Sequence, residues 1–376
     1  MTQLELPTPC YLIDEAKIEA NCQILRGVME RTGCHILLAQ KAFSCFPLYP
    51  LIGQYLSGTA SSGLYEARLG REHFPGESHV FSAAFRPDDF PEIFQYADKI
   101  IFNSIAQLRL YGADAKKAGL SVGLRINPEH STQEGSGIYD PCAPGSRLGV
   151  TWAQFDPEVL PLLDGLHFHT LCEQDAAPLI ETVTAFEAKF GAFLHDLKWL
   201  NLGGGHHITR KGYDIGSLEV CLGRIRDTYS VEIYLEPGEA IALNAGTLHT
   251  TILDIVQNGE TNIAILDASA ACHMPDVIEM PYRPPLLDSG LPGERAHTFR
   301  LAGMTCLAGD VIGDYSFDKP LQIGDRLTFG DMAIYTMVKN NTFNGMPLPA
   351  IAIADKDGIY RVIREFEYAD FKDRLG

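Results

Sequence analysis

Eight short apolar runs, separated by amphipathic segments, constrain this sequence more than any other feature. They fall at residues 34–40, 58–62, 79–83, 99–103, 121–127, 165–170, 199–202 and 232–236. Between several of them lie stretches such as 177–194, where Leu, Val and Phe recur at helical spacing. Strict alternation of β and α units implies a parallel sheet, and eight units suit a closed (β/α)8 barrel. A doubly wound open sheet is the competitor, but it has no reason to stop at eight strands.

Past residue 240 the texture changes. Strand-like runs at 247–256, 261–267, 326–329, 333–339, 350–354 and 359–364 are separated by Gly, Pro and Asp turns. This half reads as a β domain, a sandwich or small barrel. The opening run 8–14 is also strand-like and is expected to join the C-terminal sheet. The expected organisation is an N-terminal strand and helix at 1–30, an α/β barrel at 31–243 and a β domain at 244–376.

Composition narrows the partners. Thirty Lys and Arg against 48 Asp and Glu give a formal charge of −18, and no basic cluster stands out. That argues against nucleic acid or an anionic membrane surface and suits a cationic small molecule. The nine cysteines are scattered without a CxxC pair, which suggests reduced, mostly buried thiols. Neither a signal-peptide pattern nor a bilayer-length apolar run is present, so a soluble, cytoplasmic protein is expected.

Active-site groups of a (β/α)8 barrel sit at the C-terminal ends of its strands. Here those ends carry Lys41, His169, Gly203, Gly204, Gly205 and Glu236. Lys41, taken alone, reads as a solvated strand end; partly desolvated in a barrel mouth, it has a lowered pKa and forms Schiff bases. The three glycines follow the seventh strand, where barrels commonly bind phosphate through backbone N–H groups. Glu236 is either a turn carboxylate ahead of Pro237 or the partner of a protonated ring nitrogen. His167 and His169 share a face of one strand. They are packed or hydrogen-bonded side chains, metal ligands together with His206 and His207, or, for His169, an aromatic face against a cofactor ring.

Together these residues resemble the alanine-racemase-fold decarboxylases that use pyridoxal 5'-phosphate, the group that includes diaminopimelate and ornithine decarboxylases. Ala39-Gln-Lys41-Ala-Phe is similar to the Schiff-base lysine motif, and Gly165-Leu-His-Phe-His169-Thr to the strand whose histidine stacks on the cofactor. Residues 202–205 resemble the phosphate loop, and Glu236-Pro-Gly238 the ring-nitrogen motif. Further on, Cys306-Leu-Ala-Gly-Asp310 resembles the cysteine-plus-acid segment, and Tyr335 with Phe343-Asn-Gly the tyrosine motif. The six pieces occur in family order over nearly the whole chain. The segment 271–285, with Asp276 and Arg283, resembles the branch that decarboxylates carboxynorspermidine and carboxyspermidine.

The resemblance implies roles. Lys41 would hold the cofactor, Glu236 keep its ring nitrogen protonated, Gly238 and Tyr335 contact it, and Cys306 protonate the α-carbon with Asp310 positioning substrate or thiol. Relatives typically carry arginine directly after Glu-Pro-Gly, whereas this chain has Glu239; that exchange, with Asp276, suits an ammonium-bearing substrate. Arg283 would hold a substrate carboxylate transiently. A homodimer with shared active sites and a cationic carboxylated polyamine as substrate follow from the same likeness. The competing readings are diaminopimelate decarboxylase, an amino acid racemase, a metal-dependent barrel hydrolase using His167, His169 and His206, and a non-catalytic homologue.

Overall fold

The computed structural model describes residues 6–133 and 137–376. The chain divides into two compact units, Glu19–Ile241 and Met1–Ile18 with Ala242–Gly376. The first strand, β1 (Cys10–Asp14), belongs to the second of these. Next come β2 (His35–Ala39), β3 (Gly58–Ser61), β4 (Glu77–Phe81) and β5 (Lys99–Phe102). They continue with β6 (Ser121–Arg125), β7 (Gly165–His167), β8 (Trp199–Asn201) and β9 (Glu232–Leu235).

Strands β2 to β9 form the closed parallel barrel that the alternation implied. Each pairs with its successor, and β2 closes on β9 through His35 opposite Tyr234 and Ile36 opposite Leu235. All four residues of β5 and four of five in β2 are buried. Strands covered on both faces read as continuous apolar runs, which is why they were visible in the sequence.

Trp199 fills the middle of the lumen. A Cβ added to Gly165 would lie 2.0 Å from its indole, and one added to Gly123 would lie 2.3 Å away, so β6 and β7 carry glycine where β8 carries the largest side chain. Its Nε1 donates to Ser121 Oγ at 2.9 Å. Truncating so large a buried side chain to Ala would cost about 3–5 kcal/mol. Above this plug, the loops leading into the helices end in caps. Ser104 accepts from the Gln107 N–H, Asp175 from the N–H groups of Ala176 and Asp214, and Asp214 from that of Ser217. Each such cap stabilises by about 1 kcal/mol and fixes where the next helix begins.

The second unit is a mixed sheet. Its further strands are β10 (Gly246–Asn258), β11 (Thr261–Leu266), β12 (His297–Ala302), β13 (Val311–Phe317), β14 (Arg326–Gly330), β15 (Ala350–Ala354) and β16 (Tyr360–Arg364). The order is β13-β12-β11-β10-β1-β15-β16, with β14 also on β10. Strand β1 lies antiparallel to β10 and parallel to β15. Tyr11, Leu248, Leu301, Phe329 and Met332 are among its buried core side chains.

Two local expectations change. Residues 333–339 do not form a strand; Thr336–Lys339 is a single helical turn. Strands β12 and β13 were not foreseen, because Arg300 and Asp314 interrupt their apolar residues. The two charges stand directly opposite in the sheet, with Arg300 Nε 2.8 Å from Asp314 Oδ1. Cross-strand pairing of this kind compensates for what looks, along one strand, like a break in the pattern.

All nine cysteines are free. Burial pushes Cys10 and Cys22 up to about 12 and Cys34 up to about 11, so these thiols are inert. Among the described residues, no helix is long and apolar enough to cross a membrane.

Candidate active site

Lys41 stands one residue beyond the buried Gln40, and Gln40 anchors the turn. Its amide donates to Ser61 Oγ at 2.9 Å and to the Glu66 carbonyl at 2.8 Å, and it accepts from Tyr49 OH at 2.9 Å. The Lys41 amine reaches a cavity of about 240 Å³ that Arg125, Arg147, His167, His169 and Glu236 also line. Lys41 is accessible through the cavity mouth. Nonetheless the protein packed around it, and then the Arg125 charge, lower its pKa against the opposing pull of Glu236 and Glu239.

Glu236 is the anionic end of the cavity. Asn201 Nδ2 donates to its Oε1 at 2.6 Å, and His167 Nε2 lies 3.3 Å from its Oε2. Burial alone would push this carboxyl up. The His167 and His79 imidazoles and the Asn201 amide outweigh burial and bring it down to about 2. Burial also lowers His167.

His169 is held well below the ordinary imidazole value by burial, then by Lys41 and Arg125. The Gly204 N–H donates to its Nδ1 at 3.1 Å, so the ring proton sits on Nε2. That nitrogen is 3.5 Å from Lys41 Nζ.

The glycines also serve close packing of the backbone. Gly203 and Gly205 have φ of +70° and +86°. A Cβ on Gly205 would lie 1.9 Å from the Leu171 carbonyl oxygen, and one on Gly204 2.1 Å from that of Glu236. They let the loop press against the ends of β7 and β9. The Gly203 N–H donates to Asn201 Oδ1 at 2.9 Å. Among the described residues, the N–H groups of Gly205 and His206 have no protein acceptor, which leaves them for an anion. Gly238 serves closeness too: a Cβ there would meet that of Ala42 at 2.5 Å.

His206 Nε2 donates to the Gly203 carbonyl of its own loop at 3.2 Å, and burial lowers it to about 4. His207 Nε2 makes a close hydrogen bond with Glu239 Oε2. The Glu239 carboxylate therefore already has a partner inside the barrel.

Ligand atoms of His167, His169 and Glu236 lie within 4.8 Å of one another. The hydrolase reading drew on His206, which instead faces Gly203. His169 Nδ1 accepts from Gly204, His167 faces Glu236, and Lys41 and Arg125 add positive charge. That surrounding disfavours a metal cation. It suits pyridoxal phosphate: an amine of lowered pKa for the aldehyde, a carboxylate for the ring nitrogen and free amides for the phosphate.

The other candidates lie in the sheet unit. Cys306 is exposed in the turn between β12 and β13, and its N–H donates to Asn344 Oδ1 at 2.7 Å. Asp310, only 3% exposed, ties that turn down. Its carboxylate accepts from Ser269 Oγ at 2.9 Å, Thr305 Oγ1 at 2.7 Å and the Ala271 N–H at 3.2 Å. Tyr335, at φ 57°, precedes the turn Thr336–Lys339. Lys339 Nζ bonds both Asp276 and Glu279, so Asp276 is neutralised within its own unit. The Arg283 guanidinium stacks 4.8 Å from the centre of the Tyr315 ring and donates to the carbonyls of Gly290 and Asp314, each at 3.3 Å.

Sequence reasoning missed Arg125, Arg147 and Asn201 as site residues. Arg125 and Asn201 end β6 and β8, so the rule that singled out Lys41 would have found them. Arg125 lies 4.7 Å from the centre of the Phe81 ring and donates to the His169 carbonyl at 2.9 Å. Arg147 sits in a long loop held by Asn103, which donates to its carbonyl at 2.8 Å; no local pattern marks it.

Comparison with known proteins agrees with this geometry. The family model described as "Pyridoxal-dependent decarboxylase, C-terminal sheet domain" matches residues 10–333. A carboxynorspermidine/carboxyspermidine decarboxylase of Campylobacter jejuni is 41% identical, covering 98% of this chain and 99% of that one. A carboxyaminopropylagmatine decarboxylase of Synechocystis is also 41% identical, covering 99% and 96%. The crystal structure of a Campylobacter jejuni carboxynorspermidine decarboxylase complexed with norspermidine superposes with a TM-score of 0.91 at 40% identity, covering 98% of this chain and 100% of that one. With the model matched across both units and full-length relatives this similar, the chain belongs to the pyridoxal-dependent decarboxylase family.

Proposed function

We propose that this enzyme decarboxylates carboxynorspermidine and carboxyspermidine, yielding norspermidine and spermidine in polyamine biosynthesis. The observation that carries the reading is the set Lys41, His169 and Glu236 around one cavity, in a chain 41% identical over nearly its full length to a decarboxylase of that name.

Pyridoxal phosphate, when bound, supplies the conjugated ring that accepts the electron pair left behind as carbon dioxide departs. Lys41 would hold the aldehyde carbon, its lowered pKa leaving a fraction of the amine unprotonated. His169, uncharged, would cover the ring face. Glu236 keeps a proton on the ring nitrogen. The amides of Gly205 and His206 hold the phosphate, with Tyr335 as a further contact. Cys306 delivers the proton to the α-carbon, and Asp310 acts through the turn rather than on substrate. Glu239 and Asp276 read the substrate amines only by exchanging their present partners, His207 and Lys339. Arg283 holds the departing carboxylate on the same condition.

The family resemblance supports a homodimer in which the Cys306 turn completes the partner's site. The turn is exposed and flanked by exposed Met304, Leu307 and Phe343, the composition of a surface that meets another protein. Mixing Lys41→Ala and Cys306→Ala chains tests this, since re-formed heterodimers would regain full activity at one of two sites. Unpaired cysteines support a cytoplasmic setting.

A second reading has its own observation. The carboxyaminopropylagmatine decarboxylase is equally similar, and its substrate ends in a guanidinium where the polyamines end in ammonium. Carbon dioxide release from the three compounds under identical conditions separates the readings. Turnover of carboxyaminopropylagmatine alone would overturn the polyamine assignment.

A further inference from the structure

Beneath the cavity, the barrel lumen holds a second polar cluster that the reaction described above does not use. Glu77 and His79 lie two apart on β4 and so point the same way, into the lumen. His79 Nε2 is 2.8 Å from Glu77 Oε2. Lys99, at the start of β5, places Nζ 2.6 Å from the same carboxylate oxygen and 3.1 Å from Tyr234 OH. Lys99 is 8% exposed and His79 1%. The Tyr234 ring packs on His79 at 4.8 Å between centroids and on His35 of β2 at 4.9 Å.

His79 lines the same cavity as Glu236 and His167. The groups that face it are Glu77 on its own strand, Lys99 on β5, Tyr234 on β9 and Glu236 directly after β9. Because a carboxylate only accepts, Nε2 carries the proton donated to Glu77, and Nδ1 is a lone pair. That Nδ1 is buried without a hydrogen-bond partner. Leu37 and Ile101 fill neighbouring lumen positions with apolar side chains. The Lys99 side chain is 11% exposed but that of Glu77 is 39% exposed, and a half-exposed ion pair adds little to stability, so stability alone is a weak reason for this one.

We infer that the Glu77–Lys99 ion pair holds His79 as an uncharged, singly oriented imidazole beneath the cofactor cavity, so that no second cation competes with the ring nitrogen for Glu236. Lys99 is then a positioning residue. With its cation already beside Glu77, a second one on His79 is unfavourable. Without Lys99, Glu77 would draw a proton onto His79 and set a competing cation under Glu236. The directions agree: burial, and after it the Lys99 charge, lower His79 against the pull of Glu77, while hydrogen bonding from His79 and Lys99 brings Glu77 down to about 2. This inference rests on Glu236 being the ring-nitrogen partner.

The test compares apoenzyme affinity for pyridoxal phosphate with affinity for its 1-deaza analogue, whose ring nitrogen is replaced by C–H. The wild type should prefer the parent compound. Lys99→Met should lower that preference about tenfold, the equivalent of one pKa unit. Adding His79→Phe, which cannot be protonated, should restore it. An unchanged ratio in Lys99→Met, a parallel loss of both affinities, or a double variant no better than the single one would overturn the proposal. Nitrogen-15 histidine spectra of the wild-type apoenzyme add a check independent of folding in the variants. His79 should stay neutral with the proton on Nε2 from pH 7 to pH 5, and titration near the ordinary histidine value would also overturn the idea. A wild type that does not distinguish the two ligands would instead remove the Glu236 reading, and the spectra would still decide the state of His79.

Discussion

The barrel mouth and the Cys306 turn hold their chemistry in opposite ways. In the mouth, Glu236 is 8% exposed and its two oxygens face Asn201 and His167. Burial there sets protonation states: it lowers Lys41 and keeps His169 neutral. In the turn, the reactive candidate is exposed, and the buried group is Asp310, which shapes the backbone around it. In the mouth the surrounding protein sets the charge of each group, whereas a group that must reach outward is left free and positioned from behind.

Removing the Lys41 amine should break the mouth most completely. Lys41→Ala should lower kcat by a factor on the order of 10⁴ or more, as loss of a covalent partner does. Borohydride should then fail to fix the cofactor to the peptide carrying position 41. Retained fixation at another lysine would move the catalytic assignment elsewhere.

Glu236→Gln keeps the Asn201 side of the site but loses the charge. A fall in kcat of about 10²–10³, typical for one preorganised electrostatic group, is expected with a smaller change in KM. An unchanged kcat would deny Glu236 the ring nitrogen.

Acid compares the two units through one buried histidine in each. His206 in the barrel unit and His273 in the sheet unit are both lowered to about 4 by burial. Their folded values lie below the ordinary 6.5. Each therefore contributes stability that is fully present above pH 6.5 and lost as pH falls toward 4, roughly 3 kcal/mol apiece at most. Urea unfolding of the apoenzyme between pH 7 and pH 4.5 should show that decline, and His273→Asn should flatten part of it. A pH-independent midpoint would mean that these rings are not buried neutral.

Cys306→Ala should lower kcat about 10²-fold, the contribution of a positioned proton donor, while thermal stability stays within about 0.5 kcal/mol because the thiol is exposed. Asp310→Asn should cost both: about 2 kcal/mol from the buried donors of Ser269, Thr305 and Ala271, with a fall in kcat through the displaced turn. If Asp310→Asn destabilised the fold without touching kcat, the turn would not be where the proton comes from.

The smallest effect is expected at Asp276. Its replacement by Asn leaves Lys339 bonded to Glu279, so KM for a polyamine substrate should shift less than tenfold. A larger shift would show that Asp276 leaves Lys339 for the substrate, and it would sharpen the contrast between held and free charges.

The sequence by itself determined the barrel, its eight strands and the residues at their ends. Parallel strands buried on both faces leave continuous apolar runs, and the chemistry of such a barrel gathers where those runs stop. It also showed Lys41, His169 and Glu236 in family order. What only the tertiary structure decided is which partners each group has. Glu239 meets His207 from another strand end, Asp276 meets Lys339 across 63 residues of chain, and Arg283 lies on Tyr315. The glycines of 203–205 turn out to face carbonyls of neighbouring strands. Strands β12 and β13 became legible only once Arg300 stood opposite Asp314. Periodicity is local and survives in one dimension; pairing of charges and close backbone approach join distant segments, so folding alone brings them together.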